Sequence, residues 1–239
     1  MAIAVALALA GCTSQELHPP IPHASSAPAP ITTAPAPSAL APSVVGDAAV
    51  ALTNSVAVYT EPRGSLLATF ANPQRSGAPL TFLVVGDDVD GWLKVEVPQR
   101  PNGSTGWVSA TSVSLQRLVY SLRVSTQDNT LSLFKDSVLV TTYSVATGTG
   151  GTPTPHGSFY LTELLQPTND GYGPYAFGLS AYSEVLSDFG GGPGQIGLHG
   201  TDDAASIGRA ASHGCIRMSN ADIAALAALL PLGTPIVIE

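Results

Sequence analysis

Positive charge is scarce in this chain. Lys and Arg total nine among 239 residues, they form no cluster, and the formal net charge is −8. A nucleic-acid groove needs concentrated positive charge, so nucleic acid is not expected as a partner. Cysteine is scarcer: only Cys12 and Cys215 occur. No Cys-x2-Cys or His-x3-His ligand pair is present, which argues against zinc held by His199, His213 and Cys215. Neither a metal nor a cofactor is expected. The Gly148, Gly150 and Gly151 stretch is not followed by Lys-Ser/Thr, so it is no phosphate loop. Gly-x-Ser-x-Gly is absent around Ser212, which argues against a serine nucleophile.

A long apolar run is also missing. Residues 2–10, all Ala, Ile, Val or Leu, fall well short of the about 20 needed to span a bilayer. They read as the apolar core of a secretory signal. Leu9-Ala10-Gly11-Cys12 follows and resembles a bacterial lipobox, which implies a diacylated Cys12 as first mature residue and a membrane anchor on the envelope side, in the periplasm or at the cell surface. No Lys or Arg precedes the run, so the true start is expected upstream, or Met1 is an imposed boundary. An accidental Cys after an Ala-rich signal is the alternative. Residues 1–12 are thus assigned as signal and lipobox.

Residues 13–43 are dominated by Pro, Ala, Ser and Thr. Few large apolar groups are available there to offset ordering entropy, so a linker is expected. Over about 30 residues at ~3 Å each it reaches up to roughly 90 Å.

Residues 44–116 read as short strands. Val56–Tyr59, Pro79–Val85 and Trp92–Val97 carry the β-branched, aromatic or alternating pattern, and Asp87–Gly91 is a turn. The steps Gly91-Trp92 and Gly106-Trp107 resemble those of a bacterial Src-homology-like small β-barrel. Wall or peptide binding is one reading of this module; a spacer whose two Trp are core is the other.

Residues 117–239 continue as β. Tyr120–Ser125, Thr130–Phe134 and Val138–Val145 form successive hairpins, with turns at Asp128-Asn129 and Lys135-Asp136. Phe159–Leu165 is a further strand. Residues 166–194, rich in Gly, Pro and Tyr, read as a long irregular segment, either functional or packed by its own aromatics. Gln195–Gly200 delivers His199 at a strand end. Ser219 or Asn220 caps a helix over Ala221–Leu230, which Pro231 and Gly233 stop. Pro235–Ile238 is the last strand. The fold class expected is mainly β: a small β-barrel-like module, then a β-rich domain with one short helix.

The chemistry concentrates in Ser212-His213-Gly214-Cys215-Ile216-Arg217, with His199-Gly200 sixteen positions ahead of the Cys. A lone Cys with His residues elsewhere in the chain is a candidate nucleophile. The thiolate is the attacking species, and an imidazole can take the thiol proton. A small buried hydrophobe is the bland alternative, but Cys215 sits among His, Gly and Arg. A lone thiol is also unusual in an oxidising compartment.

These residues, with Thr152–Phe159 upstream, resemble the signature of the L,D-transpeptidase (YkuD) catalytic domain over about residues 118–239. The resemblance implies a cysteine-dependent acyltransferase acting on peptidoglycan stem peptides, with residues 166–194 as a lid. Cys215 would form a thioester and expel D-alanine, and a second stem amine would resolve it. His199 would be the base, oriented by the Gly200 carbonyl, with Asp202 or Asp203 ranked second. His213 would assist. The N–H groups of Gly214 and Cys215, with that of His213 as a third candidate, would serve the oxyanion, and Arg217 and Ser212 would bind substrate. Carbapenem-type inhibitors are expected to react. Hydrolysis of the same thioester by an L,D-carboxypeptidase, and a non-catalytic wall-binding lipoprotein, are the rival functions.

Overall fold

The computed structural model describes residues 46–168, 171–189 and 191–239. The expected signal, the lipobox Cys12 and the 13–43 linker lie outside the described residues.

The first seven strands are β1 (Asp47–Ala51), β2 (Ser55–Tyr59), β3 (Leu66–Ala71), β4 (Thr81–Leu83), β5 (Trp92–Glu96), β6 (Thr105–Ser109) and β7 (Val113–Arg117). They make a three-stranded sheet in the order β4-β1-β7 and a four-stranded sheet in the order β3-β2-β6-β5. Successive strand residues point to opposite faces. Val56 and Val58, Leu93 and Val95, and Val108 therefore turn inward together, onto Leu80, Phe82 and Val113.

The Pro79–Val85 strand is shorter than its composition suggests. Pro79 has no N–H, and the Leu80 N–H is taken by Asn72 Oδ1 at 3.0 Å. Beyond Leu83 the chain changes partner: the Val84 N–H donates to Asp47 and the Val85 N–H to Lys94. This corner joins the two sheets. Neither Trp is core. Trp92 and Trp107 are half-buried on the outer face, and Tyr59 meets Trp92 edge-on at 5.2 Å.

The remaining strands are β8 (Tyr120–Ser125), β9 (Thr130–Lys135), β10 (Val138–Ser144), β11 (Thr147–Gly148), β12 (Gly157–Leu165), β13 (Ala176–Tyr182), β14 (Gln195–Thr201), β15 (Ala210–Ser212), β16 (Ile216–Ser219) and β17 (Pro235–Ile238). Eight of them form one sheet in the order β10-β9-β8-β17-β12-β13-β14-β16. Just past β10, Ala146 bridges Arg217 of β16, so the sheet nearly closes on itself. The fold is mainly β, as read from the sequence.

Two turns differ in detail. The β8–β9 loop holds four residues between Ser125 and Thr130, because Ser125 and Asp128 bond to one another there. The β9–β10 turn is Asp136-Ser137, with φ of 48° and 65°, the left-handed pair that a tight hairpin requires. The 166–194 segment is not wholly irregular: its middle is β13, paired on both sides by β12 and β14. Gly and Ser in Ala176–Tyr182 diluted its β signal, and ladder pairing outweighs weak propensity.

The one α-helix among the described residues, α1 (Asn220–Leu229), starts at Ser219, whose hydroxyl accepts from the Asp222 N–H at 3.1 Å. It buries Ile223 and Leu226 in a core with Leu198, Ile216 and Met218. That packing holds β14 and β16, the two strands that carry the candidate site.

Candidate active site

Strands β14 and β16 run parallel, with Leu198 opposite Ile216 and His199 opposite Arg217. Leu198, Ile216 and Met218 face the core. By alternation Gly197, His199 and Arg217 take the other face, and Cys215 enters β16 on that side.

Gly197 is the meeting point. Its N–H donates to Cys215 Sγ at 3.3 Å. A Cβ placed on Gly197 would lie 3.6 Å from His199 Cδ2 and 3.8 Å from Cys215 Sγ. The thiol and the imidazole therefore flank one side-chain-free spot. His199 Nδ1 lies 2.6 Å from the Gly200 carbonyl oxygen. A carbonyl only accepts, so Nδ1 carries the proton and Nε2, beside Cδ2, keeps its lone pair. Main chain orients the ring. Asp202 instead accepts from Asn220, and Asp203 is exposed.

Burial dominates the electrostatics. It holds His199 down to about 4, against the Gly200 carbonyl and with the Arg217 guanidinium adding to the shift. Burial also pushes the Cys215 thiol up, opposed by the Gly197 N–H and by Arg217. The resting pair is thus a neutral thiol and a neutral imidazole. No hydrogen bond joins the two among the described residues.

The turn before Cys215 is built from within. Ser212 Oγ accepts from the Gly214 N–H at 3.0 Å and donates to the Cys215 carbonyl at 2.5 Å. Gly214 adopts φ +118°, a conformation that L side chains rarely take. Thr154 Oγ1 donates to the Gly214 carbonyl and accepts from the Gly148 N–H, both at 2.9 Å. The Thr149 N–H donates to the Ser212 carbonyl at 3.0 Å.

Two expectations are corrected here. Ser212 is not available to substrate, because it is 1% exposed and its hydroxyl serves the turn. The Gly214 N–H is not a free oxyanion donor, because Ser212 occupies it. The N–H groups of His213 and Cys215 have no protein acceptor among the described residues. The His213 side chain is exposed and lies against Phe189, with ring centroids 5.4 Å apart; it contacts neither Cys215 nor His199 by a hydrogen bond. Arg217 Nε is buried without a partner, and no carboxylate pairs with Arg217 among the described residues.

Sequence reading assigned no role to Thr154, Tyr172 or Phe189. Tyr172 lies over His199 with ring centroids 4.5 Å apart. Burial raises its phenol, a Cys215 thiolate would add to this, and Arg217 opposes it. Aromatic residues amid Gly and Pro in 166–194 were the available signal. For Thr154 it was a hydroxyl between two prolines, which cannot donate.

Cys215 opens into a cavity of about 350 Å³ whose lining includes Glu163, Tyr172, Phe177, Phe189, Ile196 and Gly197. A partly exposed thiol at such a cavity, with a buried proton-accepting imidazole close by, defines a candidate cysteine-nucleophile site on a nearly closed β-sheet. The family model for the YkuD L,D-transpeptidase catalytic domain matches residues 119–238, and the chain belongs to this family.

Among curated relatives, the YkuD protein of Bacillus subtilis (strain 168), provisionally named an L,D-transpeptidase, is 36% identical over 120 residues, 50% of this chain and 66% of that protein. The chain thus spans just under two thirds of that relative's length. The YqjB protein of the same organism, also provisionally named an L,D-transpeptidase, is 33% identical over 122 residues, 48% of this chain and 68% of the relative. A solved structure, Bd1075 of Bdellovibrio bacteriovorus, is 29% identical with a TM-score of 0.42, covering 51% of this chain and 48% of its own.

Proposed function

We propose that this chain is a peptidoglycan L,D-transpeptidase that works through a cysteinyl thioester. The observation that carries the reading is the Gly197 meeting point, where Cys215 Sγ and the lone-pair edge of His199 share one face with Arg217, which has no carboxylate partner among the described residues. As Sγ attacks the stem-peptide carbonyl carbon, His199 Nε2 takes the thiol proton. The carbonyl oxygen becomes an oxyanion, for which the His213 and Cys215 N–H groups are the free donors. The C–N bond to D-alanine then breaks, the imidazolium returns the proton to the leaving amine, and a thioester remains. A second stem's amine attacks it, His199 takes a proton from that amine, and the thiol is restored.

A neutral resting pair suits this scheme, since the proton moves only as the new bond forms. Arg217 matches a stem carboxylate, and Glu163 matches an ammonium group in the same cavity. Leu9–Cys12 supports a lipid anchor on the envelope side, testable by labelled palmitate incorporation in wild type and in Cys12→Ala. Residues 44–116 are read as an accessory module of the enzyme.

The test is incubation with purified tetrapeptide muropeptides followed by mass spectrometry. Cross-linked dimers are expected. Tripeptide alone would assign an L,D-carboxypeptidase, in which water resolves the thioester. Intact mass after carbapenem treatment should show one adduct, lost in Cys215→Ala. An unmodified wild type that also leaves muropeptides intact would favour a non-catalytic wall-binding protein.

A further inference from the structure

The cavity wall beside Cys215 is held by the other half of the molecule. Between β13 and β14 the chain forms a flap, Ser183 to Gly194, of which Gly190 lies outside the described residues. The flap is joined at its base by the Ser183 N–H to the Gly194 carbonyl, 2.8 Å. It contributes Phe189, Gly192 and Pro193 to the cavity, and Phe189 is the ring against His213.

The loop between β5 and β6 reaches across to it. Arg100 Nη1 donates to the Ser183 carbonyl at 2.7 Å. Arg100 Nη2 donates to the carbonyls of Leu186, 2.9 Å, and Pro193, 3.0 Å. The guanidinium also lies over the Tyr182 ring, 5.1 Å from its centre. Asn102 works beside it: its Nδ2 donates to the Tyr182 carbonyl and its Oδ1 accepts from the Tyr182 N–H, both at 2.8 Å. That is the pairing a neighbouring strand would supply. The Tyr182 hydroxyl donates to the Pro98 carbonyl at 2.9 Å.

Three carbonyls from separate points of the flap thus converge on one cation that has no carboxylate partner among the described residues. The fit leaves no slack: a Cβ on Gly194 would lie 2.2 Å from the Leu186 carbonyl oxygen and 3.1 Å from Arg100 Nη2. A forked planar guanidinium can satisfy such a set, and a Lys ammonium, a single point charge, cannot reproduce its geometry.

We propose that Arg100 and Asn102 are positioning residues for the reaction at Cys215, acting through the flap that carries Phe189. The N-terminal module is then part of the catalytic unit rather than a spacer. The proposal rests on the reading of Cys215 as the nucleophile, and a misplaced cavity wall weakens productive substrate binding without altering the thiol itself.

Arg100→Ala, Arg100→Lys, Asn102→Ala and Phe189→Ala in the full chain test it. Tetrapeptide kcat/KM, alkylation of Cys215 by iodoacetamide, and amide hydrogen exchange across 183–189 are measured for each. Arg100→Ala is expected to lower kcat/KM at least about ten-fold, mainly through KM, with Arg100→Lys between it and wild type. Iodoacetamide should react at the wild-type rate or faster, and exchange across 183–189 should accelerate. Phe189→Ala, at a ring 42% exposed, should reproduce the KM increase even if Arg100→Ala fails to fold. A folded Arg100→Ala with wild-type kcat/KM, or Phe189→Ala with wild-type KM, overturns the proposal. If wild type turns over no stem peptide, the functional reading fails instead, and unchanged flap exchange in Arg100→Ala would then sink the clamp independently.

Discussion

The N–H of Gly197 donates to the sulfur of Cys215 at 3.3 Å, from the strand that also carries His199 two residues on. One strand therefore supplies both the contact that steadies the sulfur and the base that would deprotonate it.

His199 must be neutral to accept a proton. With burial holding it down to about 4, activity falls only as pH drops through that value. The acid limb of kcat/KM, which reports the free enzyme, is expected near pH 4. A limb near 6.5, the ordinary imidazole value, would show that the ring is solvated. His199→Ala should abolish turnover with the circular dichroism spectrum unchanged.

Ser212→Ala tests the turn. The change removes the acceptor of the Gly214 N–H and the donor to the Cys215 carbonyl. One buried and one partly buried backbone group lose this partner, so chemical denaturation should show a loss of about 1–3 kcal/mol. Activity should fall more than that of a conservative Ser212→Thr. Wild-type stability in Ser212→Ala would mean that Thr154 and the Thr149 N–H hold the turn without the Ser212 hydroxyl.

Tyr172 separates ring from hydroxyl. Its contact with His199 is ring on ring, so Tyr172→Phe should keep kcat near wild type. Tyr172→Ala should lose about three- to ten-fold, the range for one aromatic contact. Equal losses in both variants would shift the role to the phenol, which a Cys215 thiolate would influence.

Glu96 makes stability depend on pH. It is 4% exposed and accepts from Ser180 Oγ at 2.5 Å, and burial raises it to about 7, the Ser180 bond opposing. The unfolded chain releases this proton near 4.5 and the folded chain holds it to about 7, so stability is lost as pH rises through that window. His199 has the opposite slope: the unfolded chain takes a proton below 6.5 that the folded chain refuses down to about 4. Comparing wild type with Glu96→Gln isolates the first effect. At pH 8 the variant is expected to be more stable by about 3 kcal/mol, with the difference shrinking toward pH 4.5. A pH-independent difference would mean that Glu96 is charged in the folded protein.

Much of the fold could be read from alternation. Val56 and Val58, Leu93 and Val95, and Leu131 and Leu133 sit inward as period two requires. Ser219 at the helix start and Pro231 beyond its end were equally legible. The Ala176–Tyr182 strand was not, because small residues carry little β signal and its pairing comes from neighbours on both sides. At the site, Cys215 and His199 stood out by residue type, whereas a main-chain orienter for the imidazole came only from the family resemblance. The use of Ser212 within the turn did not, since a hydroxyl's partner depends on the turn's φ and ψ, which Gly214 sets.

By itself the amino-acid order determined the chemistry on offer: one thiol in the body of the chain, an imidazole sixteen positions earlier, a guanidinium two positions later, and a glycine beside the thiol. Only the tertiary structure decided that these groups share a face. His199 and Arg217 come opposite each other through parallel pairing of β14 with β16, a register set by Leu198, Ile216 and Met218 burying their side chains on the reverse face. A slip of one residue would send His199 into the core and leave the thiol without its base.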